Sequence, residues 1–299
     1  MKGTSFIMKT GITIFTPTYN RATTLPRLYH SLLKQTNHDF EWLIVDDGSI
    51  DHSKDLIQGW IDENKISIRY IYQENHGKTY AHNVGVKNAK YNLFFCVDSD
   101  DYIGENTIQE LNGINSLIMN DDEIVGIMGY KKNILCDKII TKKIPVKTIT
   151  VAALYRKYHF KDELALLYKT DILKQHLFPI IKGEKFVPES YLYDQLDTIG
   201  KCYFLQDYIY YYEYQEDGYT NHSAQLLKNN VQGYILYSKQ RLEISKLWRN
   251  RVKGAIQYNI ANLIAKNHFR YMKNKHFMLL IVTFIPSYFY YLKKYRNLK

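Results

Sequence analysis

The sequence predicts an α/β fold, in which a Rossmann-like, mostly parallel sheet is flanked by helices and followed by a helical C-terminal extension. Three observations support this prediction. Short apolar segments alternate with segments of helical spacing over roughly the first 130 residues. Polar turns follow several of the apolar segments, as they do at the carboxyl ends of parallel strands. From residue 225 onward, apolar residues recur at helical spacing among basic ones.

Five strands are predicted from short apolar runs that are bounded by turn residues. The first run ends at Pro17, and the second ends at the acidic turn that begins with Asp46. The fourth run is fully apolar, as expected for a strand that is covered on both faces. The predicted strands cover residues 11–15, 42–45, 66–72, 93–97 and 124–128.

Four helices are predicted between these strands from apolar residues at helical spacing. In the first, Thr24 is a candidate N-cap, Pro26 lies in the first turn, and four leucines share one face. The lysine-rich residues 131–148 predict a hairpin or loop, and the tyrosines of 208–214 predict a strand with one buried aromatic face. The other three predicted helices cover residues 53–62, 79–89 and 108–118.

The positive charge is concentrated in the C-terminal quarter of the chain. The 299 residues carry 40 Lys and Arg against 30 Asp and Glu, a formal net charge of +10. Residues 221–299 hold 15 of the bases and one acid, Glu243, whereas residues 1–220 hold 25 bases and 29 acids. Such a surplus predicts a polyanionic partner. A nucleic-acid-binding function would reside in this basic tail, which lacks a recognition motif.

Composition and motifs exclude several protein classes. Three scattered cysteines without a CxxC pair indicate neither a disulfide scaffold nor a structural zinc site. No GxGxxG follows the first strand, and the GKT at residues 77–79 does not end a P-loop, because Tyr72 stands where that motif requires glycine. Residues 1–11 contain no apolar segment of signal-peptide length, so we expect a cytoplasmic protein.

Three polar loops follow predicted strands and are candidates for a ligand site. They comprise residues 17–20, 46–49 and 98–101, and the last contains three carboxylates in four residues. Such carboxylates repel one another unless a cation joins them, and oxygen ligands suit Mg²⁺ or Mn²⁺. The alternative interpretation is a solvated acidic turn or a helix N-cap. Since ligands bind outside the carboxyl ends of parallel strands, we expect the loops to share one crevice.

Five motifs follow one another along the chain: TPTYNR at 16–21, VDDGS at 45–49, NHGK at 75–78, AHNVG at 81–85 and VDSDD at 97–101. With these motifs the sequence resembles the family 2 glycosyltransferases. Five motifs carry the resemblance, in the family's order and spacing, and Asp51 accompanies the second. The resemblance is strong from residue 10 to about residue 130 and continues more loosely through 183–189 to 212–220. It implies a GT-A fold, a UDP-sugar donor and inversion at the anomeric carbon.

The resemblance also implies which residues bind the nucleotide sugar. Pro17 and Tyr19 would line the base pocket, and Asp47 would hydrogen-bond the uracil. Lys78 and Asn83 would contact the ribose or the diphosphate. The full predicted set is Pro17, Tyr19, Asn20, Asp47, Lys78, Asn83, Asp98, Ser99, Asp100 and Asp101.

The acidic loop has the most specific implied roles. By the resemblance, Asp98 would face the ribose. Asp100 would bind the metal cofactor, Mn²⁺ or Mg²⁺, that bridges the diphosphate, and Asp101 would support it. A metal at this place neutralises the charge that grows on the leaving diphosphate.

The acceptor hydroxyl must lose a proton, which a carboxylate within hydrogen-bond reach can take. The family places a Glu-Asp pair after the first hundred or so residues, and the matching VPES at 187–190 keeps only Glu189, the predicted catalytic base. Asp162 and Glu163 would help to bind the acceptor, with an exposed, charged helix start as the alternative. Asp194 is a further acceptor-side residue and the second candidate for the base, and His222 would reach the diphosphate on a closing loop.

The chain is therefore divided at residue 220. Residues 1–220 form the predicted transferase domain, with a donor half over about 10–130 and an acceptor half over 131–220. Residues 221–299 form a basic, helical, membrane-associating region. Its apolar stretch, residues 277–292, is too short to span a bilayer but has basic flanks. This pattern predicts a helix in the interface of an anionic membrane. A buried helix or a contact within a homo-oligomer is the alternative.

The predicted function is the inverting, metal-dependent transfer of a hexose or N-acetylhexosamine from a UDP-sugar. The acceptor would be a hydroxyl of a lipid-linked or cell-envelope glycan, in polysaccharide biosynthesis at the inner face of the cell membrane. One alternative is a transferase of the same fold that acts on a teichoic acid or another polyol-phosphate polymer. Two alternatives belong to other classes: a nucleic-acid-binding protein that uses the basic tail, and a catalytically inactive scaffold. No nucleic acid is expected as a partner.

Overall fold

The computed structural model describes residues 8–136, 140, 143–213, 223–245, 247–267 and 275–296. The chain divides into two compact units. The N-terminal unit comprises Met1–Leu177 and Ile199–Tyr214, and the C-terminal unit comprises Phe178–Thr198 and Gln215–Lys299.

Within the residues that the structure describes, the N-terminal unit is built on a nine-stranded mixed sheet. Eight strands follow the order β3-β2-β1-β4-β8-β6-β9-β5, and β7 pairs with β9. The strands are β1 (Lys9–Thr18), β2 (Phe40–Asp46), β3 (Ile68–Tyr72), β4 (Tyr91–Cys96), β5 (Tyr102–Ile103), β6 (Ile124–Asn133), β7 (Thr148–Ile149), β8 (Leu164–Lys169) and β9 (Lys201–Tyr212).

The first four long strands are parallel, as the sequence predicts. β1 pairs in parallel with both β2 and β4, and β2 pairs in parallel with β3. The helices between them pack apolar faces on the sheet, where Tyr29, Trp42 and Trp60 form one cluster of mutually stacked rings. The helices of this unit are α1 (Leu25–Leu33), α2 (Ser53–Glu63), α3 (Lys78–Asn88), α4 (Thr107–Ile118), α5 (Val151–Lys157) and α6 (Thr170–Gln175).

The other half of the sheet contains strands that the sequence pattern did not predict. β8 runs antiparallel between β4 and β6, and β9 begins at Lys201, seven residues before the predicted strand of 208–214. Gly126 permits the close approach of β6 to β8, because a Cβ there would lie 2.0 Å from the Leu167 carbonyl oxygen. This pairing joins the predicted donor half to the predicted acceptor half in one sheet.

The C-terminal unit is helical, as predicted, but it also includes residues 178–198. Two contacts explain this grouping. The Glu184 carboxylate accepts hydrogen bonds from the backbone N–H groups of Gln232 and Gly233 at 2.7 and 2.8 Å. The Asn230 side chain accepts from the N–H of Lys185 at 2.9 Å. The helices are α7 (Ser190–Ile199), α8 (Ser223–Asn229), α9 (Val231–Ile244), α10 (Trp248–Ile264) and α11 (Phe277–Lys294).

The last helix, α11, contains the apolar stretch for which the sequence predicts membrane contact. It has 18 residues and includes Pro286. Within the described ranges of the chain, no helix combines the length and the apolar character needed to cross a membrane.

Candidate functional site

The site lies at the carboxyl edge of the parallel strands, where the three predicted loops are neighbours. β1 lies between β2 and β4, and Thr18, at the end of β1, is in register with Asp46 at the end of β2. On its other side β1 pairs with β4, with Phe15 in register with Cys96. The loops that follow these three strands therefore start side by side, as the sequence predicts.

The loop after β1 is fastened to the loop after β2 by reciprocal hydrogen bonds. The Asn20 side chain accepts from the N–H of Ile50, and the Ser49 hydroxyl accepts from the N–H of Asn20, both at 2.9 Å. Asn20 has a φ of 52°, in the left-handed region that asparagine tolerates. Pro17 is half-buried beside this junction, and Tyr19 is 46% exposed. The junction leaves the Tyr19 ring available to stack on a ligand.

Asp46 and Asp47, at the end of β2, are buried and bonded to the protein. Asp46 accepts hydrogen bonds from the Tyr70 hydroxyl at 2.7 Å and from the Ser49 N–H at 2.8 Å. The Asp47 carboxylate accepts from the N–H groups of His76 and Gly77 at 2.9 and 2.7 Å, and from the Gln73 side chain at 2.7 Å. Asp47 thereby fixes the segment that leads into α3.

The start of α3 carries the predicted Lys78 and Asn83. Gly77 precedes the helix with a φ of 94°. Lys78 Nζ lies 2.8 Å from Asp98 Oδ1, and Asn83 is buried one turn later. Gly85 lets the helix lie close to the sheet, because a Cβ there would lie 2.4 Å from the ring of Phe15. Two of the predicted motifs thus meet directly in the Lys78–Asp98 ion pair.

The pKa values of the carboxyl groups in residues 98–101 are shifted in opposite directions. Burial opposes the ionised form of Asp98, but the positive charges around it, Lys78 foremost, lower its pKa. Burial and the Asp98 carboxylate raise the pKa of Asp100. The same two causes raise the pKa of Asp101 to about 7. Ser99, between them, is buried. The loop therefore resists holding three negative charges without an added cation.

Four residues beside this loop were not predicted from the sequence. Tyr210, buried in β9, donates from its hydroxyl to Asp101 Oδ2 at 2.6 Å and accepts from the Asp98 N–H at 3.1 Å. Lys131 Nζ lies 4.0 Å from the centre of the Tyr210 ring, and its charge lowers the pKa values of Asp98 and Asp101. The other two are Arg21, whose charge also acts on Asp98 and Asp100, and Arg27, which donates to the Asp100 carbonyl oxygen.

Among these four, only Tyr210 and Arg21 had a signal in the sequence. Tyr210 belongs to the tyrosine cluster that predicts a strand with a buried aromatic face, and Arg21 ends the first motif. Lys131 lies in a lysine-rich stretch and Arg27 on a helix, and neither position marks a site by itself.

A cleft of about 140 Å³ is lined in part by residues of β6 and β9. Lys131 lines this cleft and also faces the acidic loop, so the two are neighbours. The predicted acceptor residues Asp162 and Glu163 are both in its lining. The rest of the lining is basic, aromatic or small, and consists of Lys132, Asn133, Cys136, Ile140, Tyr208 and Tyr212.

The remaining predicted residues belong to the C-terminal unit. Glu189 is half-buried directly before α7, and its carbonyl oxygen accepts from the N–H of Leu192 at 3.0 Å. Asp194 lies in α7, where burial raises its pKa against the opposing charge of Arg241. His222 lies outside the described residues.

The carboxylates of the acidic loop fit a divalent cation in chemistry. Their oxygens are the hard ligands that Mg²⁺ and Mn²⁺ prefer, and their mutual repulsion would fall on binding. In the described part of the chain, no group of three or more His, Cys, Asp or Glu side chains could hold a metal ion. An ion at this loop would therefore need further ligands from substrate or water.

Comparison with known proteins identifies relatives along most of the chain. The family model described as glycosyl transferase family 2 matches residues 13–177. Glycosyltransferase GlyG of Streptococcus pneumoniae serotype 4 is 26% identical over 214 residues, which are 67% of this chain and 70% of GlyG. The poly(ribitol-phosphate) beta-N-acetylglucosaminyltransferase TarS of Staphylococcus aureus is 22% identical over 276 residues, 90% of this chain and 46% of TarS. This chain thus spans less than half of TarS.

Solved structures share the fold. The structure of S. aureus TarS 1–349 in complex with UDP-GlcNAc has a TM-score of 0.60 at 18% identity, over 93% of this chain and 81% of that chain. A mannosyltransferase from Pyrobaculum calidifontis in complex with GDP-Man and Mn²⁺ has a TM-score of 0.53 at 14% identity, over 96% and 76%. These similarities confirm the predicted GT-A fold. Since the family model covers more than half of the 299 residues, the chain belongs to glycosyl transferase family 2.

Proposed function

We propose that this glycosyltransferase moves a sugar, with inversion and with a divalent metal, from a UDP-sugar to a hydroxyl of a lipid-linked or cell-envelope glycan. The observation that carries the proposal is the acidic loop at the sheet edge, with Lys78 2.8 Å from Asp98. Cleavage of a sugar–phosphate bond leaves a diphosphate with growing negative charge. Fixed positive charge next to that position lowers the barrier more than it stabilises the ground state.

The proposed donor is a UDP-sugar. TarS was solved with UDP-GlcNAc and with UDP, which supports uridine as the base and an N-acetylhexosamine as one candidate sugar. In this chain Pro17 and the half-exposed Tyr19 would line the base pocket. Asp47 would contact the uracil through lone pairs left beyond its three protein hydrogen bonds. Lys78 and Asn83 would serve the ribose and the diphosphate.

Asp100 would hold the metal, Mn²⁺ or Mg²⁺, with Asp101 in support. The mannosyltransferase solved with Mn²⁺ supports manganese as the first ion to try. When bound, such an ion supplies positive charge to the leaving diphosphate. Asp98 would face the ribose, with its ionised state favoured by Lys78 and Lys131. Tyr210 holds the backbone and the carboxylate of this loop in place.

In the proposed displacement, the acceptor oxygen bonds to the anomeric carbon as the bond to the diphosphate breaks. Attack from the opposite face inverts the configuration, and the hydroxyl proton passes to a carboxylate. Glu189 is the proposed base, and Asp194 is the alternative, since burial raises its pKa and makes it a better proton acceptor. Substituting Glu189 by Gln should lower transfer by about 10²–10⁴-fold while donor binding persists.

The acceptor is proposed to bind in the cleft next to the acidic loop. Asp162 and Glu163 offer hydrogen-bond acceptors for sugar hydroxyls, and Tyr208 and Tyr212 offer aromatic surface. Because Lys131 borders both the cleft and the acidic loop, an acceptor there would lie next to the donor. His222 remains a proposed contact to the diphosphate.

A second candidate function is transfer to a polyol-phosphate polymer. Two lysines, Lys131 and Lys132, line the acceptor cleft, where they would pair with acceptor phosphates. TarS, whose name states a poly(ribitol-phosphate) acceptor, matches 90% of this chain. Parallel assays with poly(ribitol-phosphate) and a neutral glycan would distinguish the two acceptors.

The proposed location is the cytoplasmic face of the cell membrane, where a lipid-linked acceptor would be accessible. The basic charge of residues 221–299 supports this location, because that face carries anionic lipid. A homo-oligomer remains an open part of the proposal. No nucleic acid is proposed as a partner.

The donor is tested by a thermal-shift panel of UDP-, GDP- and CDP-sugars, each with and without Mn²⁺. A ligand that binds only the folded protein stabilises it and so raises its melting temperature. At a ligand concentration of 100 times the Kd, the stabilisation is about 2.7 kcal/mol. UDP-sugars with Mn²⁺ should give the largest shift. A larger shift with another nucleotide would contradict the uridine assignment, and equal shifts without Mn²⁺ would contradict the metal.

A further inference from the structure

Helix α11 turns its most apolar side chains outward. Met278, Val282, Ile285 and Phe289 follow one another at spacings of four, three and four residues, so they form one stripe along the helix. These four side chains are between 66% and 74% exposed. Ile281 widens the stripe and is half exposed. A helix on the surface of a globular protein normally directs such a stripe to the core.

The face of α11 that packs inward combines one leucine with two small hydroxyl side chains. Leu280, Thr283 and Ser287 are its buried residues. The Asn259 side chain, in α10, donates to the Leu280 carbonyl oxygen at 2.9 Å and to the Thr283 hydroxyl at 3.1 Å. The Ser287 hydroxyl donates to the Thr283 carbonyl oxygen at 2.6 Å. Hydrogen bonds to α10 therefore fix the rotation that leaves the apolar stripe outside.

The exposed stripe is followed by basic residues. Lys293, Lys294 and Arg296 are exposed at the C-terminal end of α11. Residues 221–299 as a whole carry 15 Lys and Arg against one acid. Anionic lipid attracts such bases by about 1 kcal/mol for each Lys or Arg near the surface.

The length of α11 favours a position in the plane of the membrane. A helix that spans a bilayer needs about 20 apolar residues, whereas α11 has 18, and its last turn carries Lys293 and Lys294. An amphipathic helix with an aromatic and aliphatic face and nearby bases binds at the lipid interface.

We propose that α11 is the membrane-docking element and lies on an anionic lipid surface with the Met278–Phe289 stripe buried in the interface. This assigns the membrane contact of the proposed function to one helix, and in that respect it rests on the proposed function. Vesicle binding itself needs neither donor nor transfer.

A second copy of the chain is the competing occupant of this face. Pairing two α11 stripes would bring together two C-terminal regions that each hold 15 bases and one acid. Like charges at such an interface repel, whereas anionic headgroups neutralise them. Charge complementarity therefore favours lipid.

Flotation of the full chain with vesicles tests the proposal. The vesicles are phosphatidylcholine with or without phosphatidylglycerol, at low and high salt. The test variant is Val282→Glu with Ile285→Glu. The matched control is Leu117→Glu in α4, because Leu117 is an exposed apolar residue (65%) of the N-terminal unit.

The wild type should float with phosphatidylglycerol vesicles, and binding should weaken with salt. The α11 variant should lose at least about tenfold in binding, since two charges would enter the interface, while Leu117→Glu binds like the wild type. Should the α11 variant fail to fold, neutralising Lys293, Lys294 and Arg296 with glutamine should still reduce binding to anionic vesicles alone.

Absence of wild-type flotation, or equal flotation of the α11 and control variants, would overturn the proposal. Sedimentation velocity tests whether a second copy of the chain binds to this face instead. A wild-type dimer that the α11 variant converts to a monomer, without vesicle binding, would assign the face to a second copy. The UDP-sugar thermal shift should be the same for all variants, so a failure of membrane docking is distinguishable from a failure of the proposed transferase function.

Discussion

The two acidic loops at the sheet edge are similar in sequence and opposite in structure. Asp47 accepts three hydrogen bonds from the protein, two of them from backbone N–H groups, and is 5% exposed. By contrast, burial and the Asp98 carboxylate raise the pKa of Asp100, whereas the positive charges around Asp98, Lys78 foremost, lower its pKa against the effect of burial. The protein itself satisfies the carboxylate of the first loop, whereas the second loop, the proposed metal and diphosphate site, keeps carboxylates that repel one another.

An acidic turn can thus either stabilise the fold or favour a bound cation. A carboxylate whose lone pairs are filled by backbone donors contributes to the fold, and its loss leaves buried donors without partners. A carboxylate whose neighbours repel it contributes little to the fold and gains when a cation arrives. Substitutions in the two loops should therefore separate stability from activity.

The largest expected effect is on transfer by Asp100→Asn. We expect a loss of about 10³-fold or more in kcat/KM, equal to about 4 kcal/mol of transition-state stabilisation, because the proposed metal ligand is gone. Stability should hardly change. Release of UDP and a thermal melt without ligand measure the two quantities. A large fall in melting temperature would break the contrast between the loops.

Asp47→Asn should affect the fold instead. The amide cannot accept all three hydrogen bonds, so the free energy of unfolding should fall by about 2–4 kcal/mol. Denaturant unfolding measures the change. The control is Asp55→Asn in α2, where the side chain is 82% exposed, and its effect should stay within about 0.5 kcal/mol. Equal effects of the two substitutions would show that Asp47 does not anchor the loop.

Gly48→Ala tests whether the first loop depends on its backbone geometry. Gly48 has a φ of 87°, and a Cβ there would lie 2.9 Å from the backbone nitrogen of Asn75. We expect a loss of about 1–3 kcal/mol. Gly59→Ala, in the middle of α2 with nothing within 4 Å of the added Cβ, should instead stabilise by about 0.5–1 kcal/mol. The same sign for both would contradict the strain argument.

The smallest expected effect is that of Lys131→Met, next to the second loop. Lys131→Met removes a positive charge that favours the ionised form of Asp98, and should lower kcat/KM about tenfold, or about 1.4 kcal/mol. Lys132→Met is the control: Lys132 lies 5.9 Å from the Tyr208 ring and should alter only the KM for a phosphate-containing acceptor. Identical kinetics for the two variants would remove the special role of Lys131.

Sequence reasoning located the first four long strands and the loops that follow them. These strands are apolar runs bounded by turn residues, and adjacent parallel strands bring their ends together. The pattern did not reveal β8, because Leu164–Lys169 is a six-residue run whose partners come from β4 and β6. Pairing between distant segments depends on tertiary context that a local pattern does not contain.

The candidate site divides in the same way. The motif residues Asp98 and Lys78 were predicted, and they form an ion pair. Tyr210 and Lys131 were not. Tyr210 is brought to the acidic loop by the pairing of β9 with β5, in register with Ile103, and Lys131 by the pairing of β6 with β9, in register with Tyr210. The predicted acceptor residues Asp162 and Glu163 line a cleft whose other walls come from β6 and β9 and from Cys136 and Ile140, which follow β6.

The most direct test of the account is calorimetric titration of the full chain with UDP-GlcNAc in Mn²⁺ and in EDTA. The wild type and Asp55→Asn should bind with the same Kd in Mn²⁺ and far more weakly in EDTA. Asp100→Asn should lose at least about 100-fold in affinity in Mn²⁺, equal to about 2.7 kcal/mol. If Asp100→Asn bound UDP-GlcNAc as tightly as the wild type and with the same response to Mn²⁺, the acidic loop would not be the metal and diphosphate site.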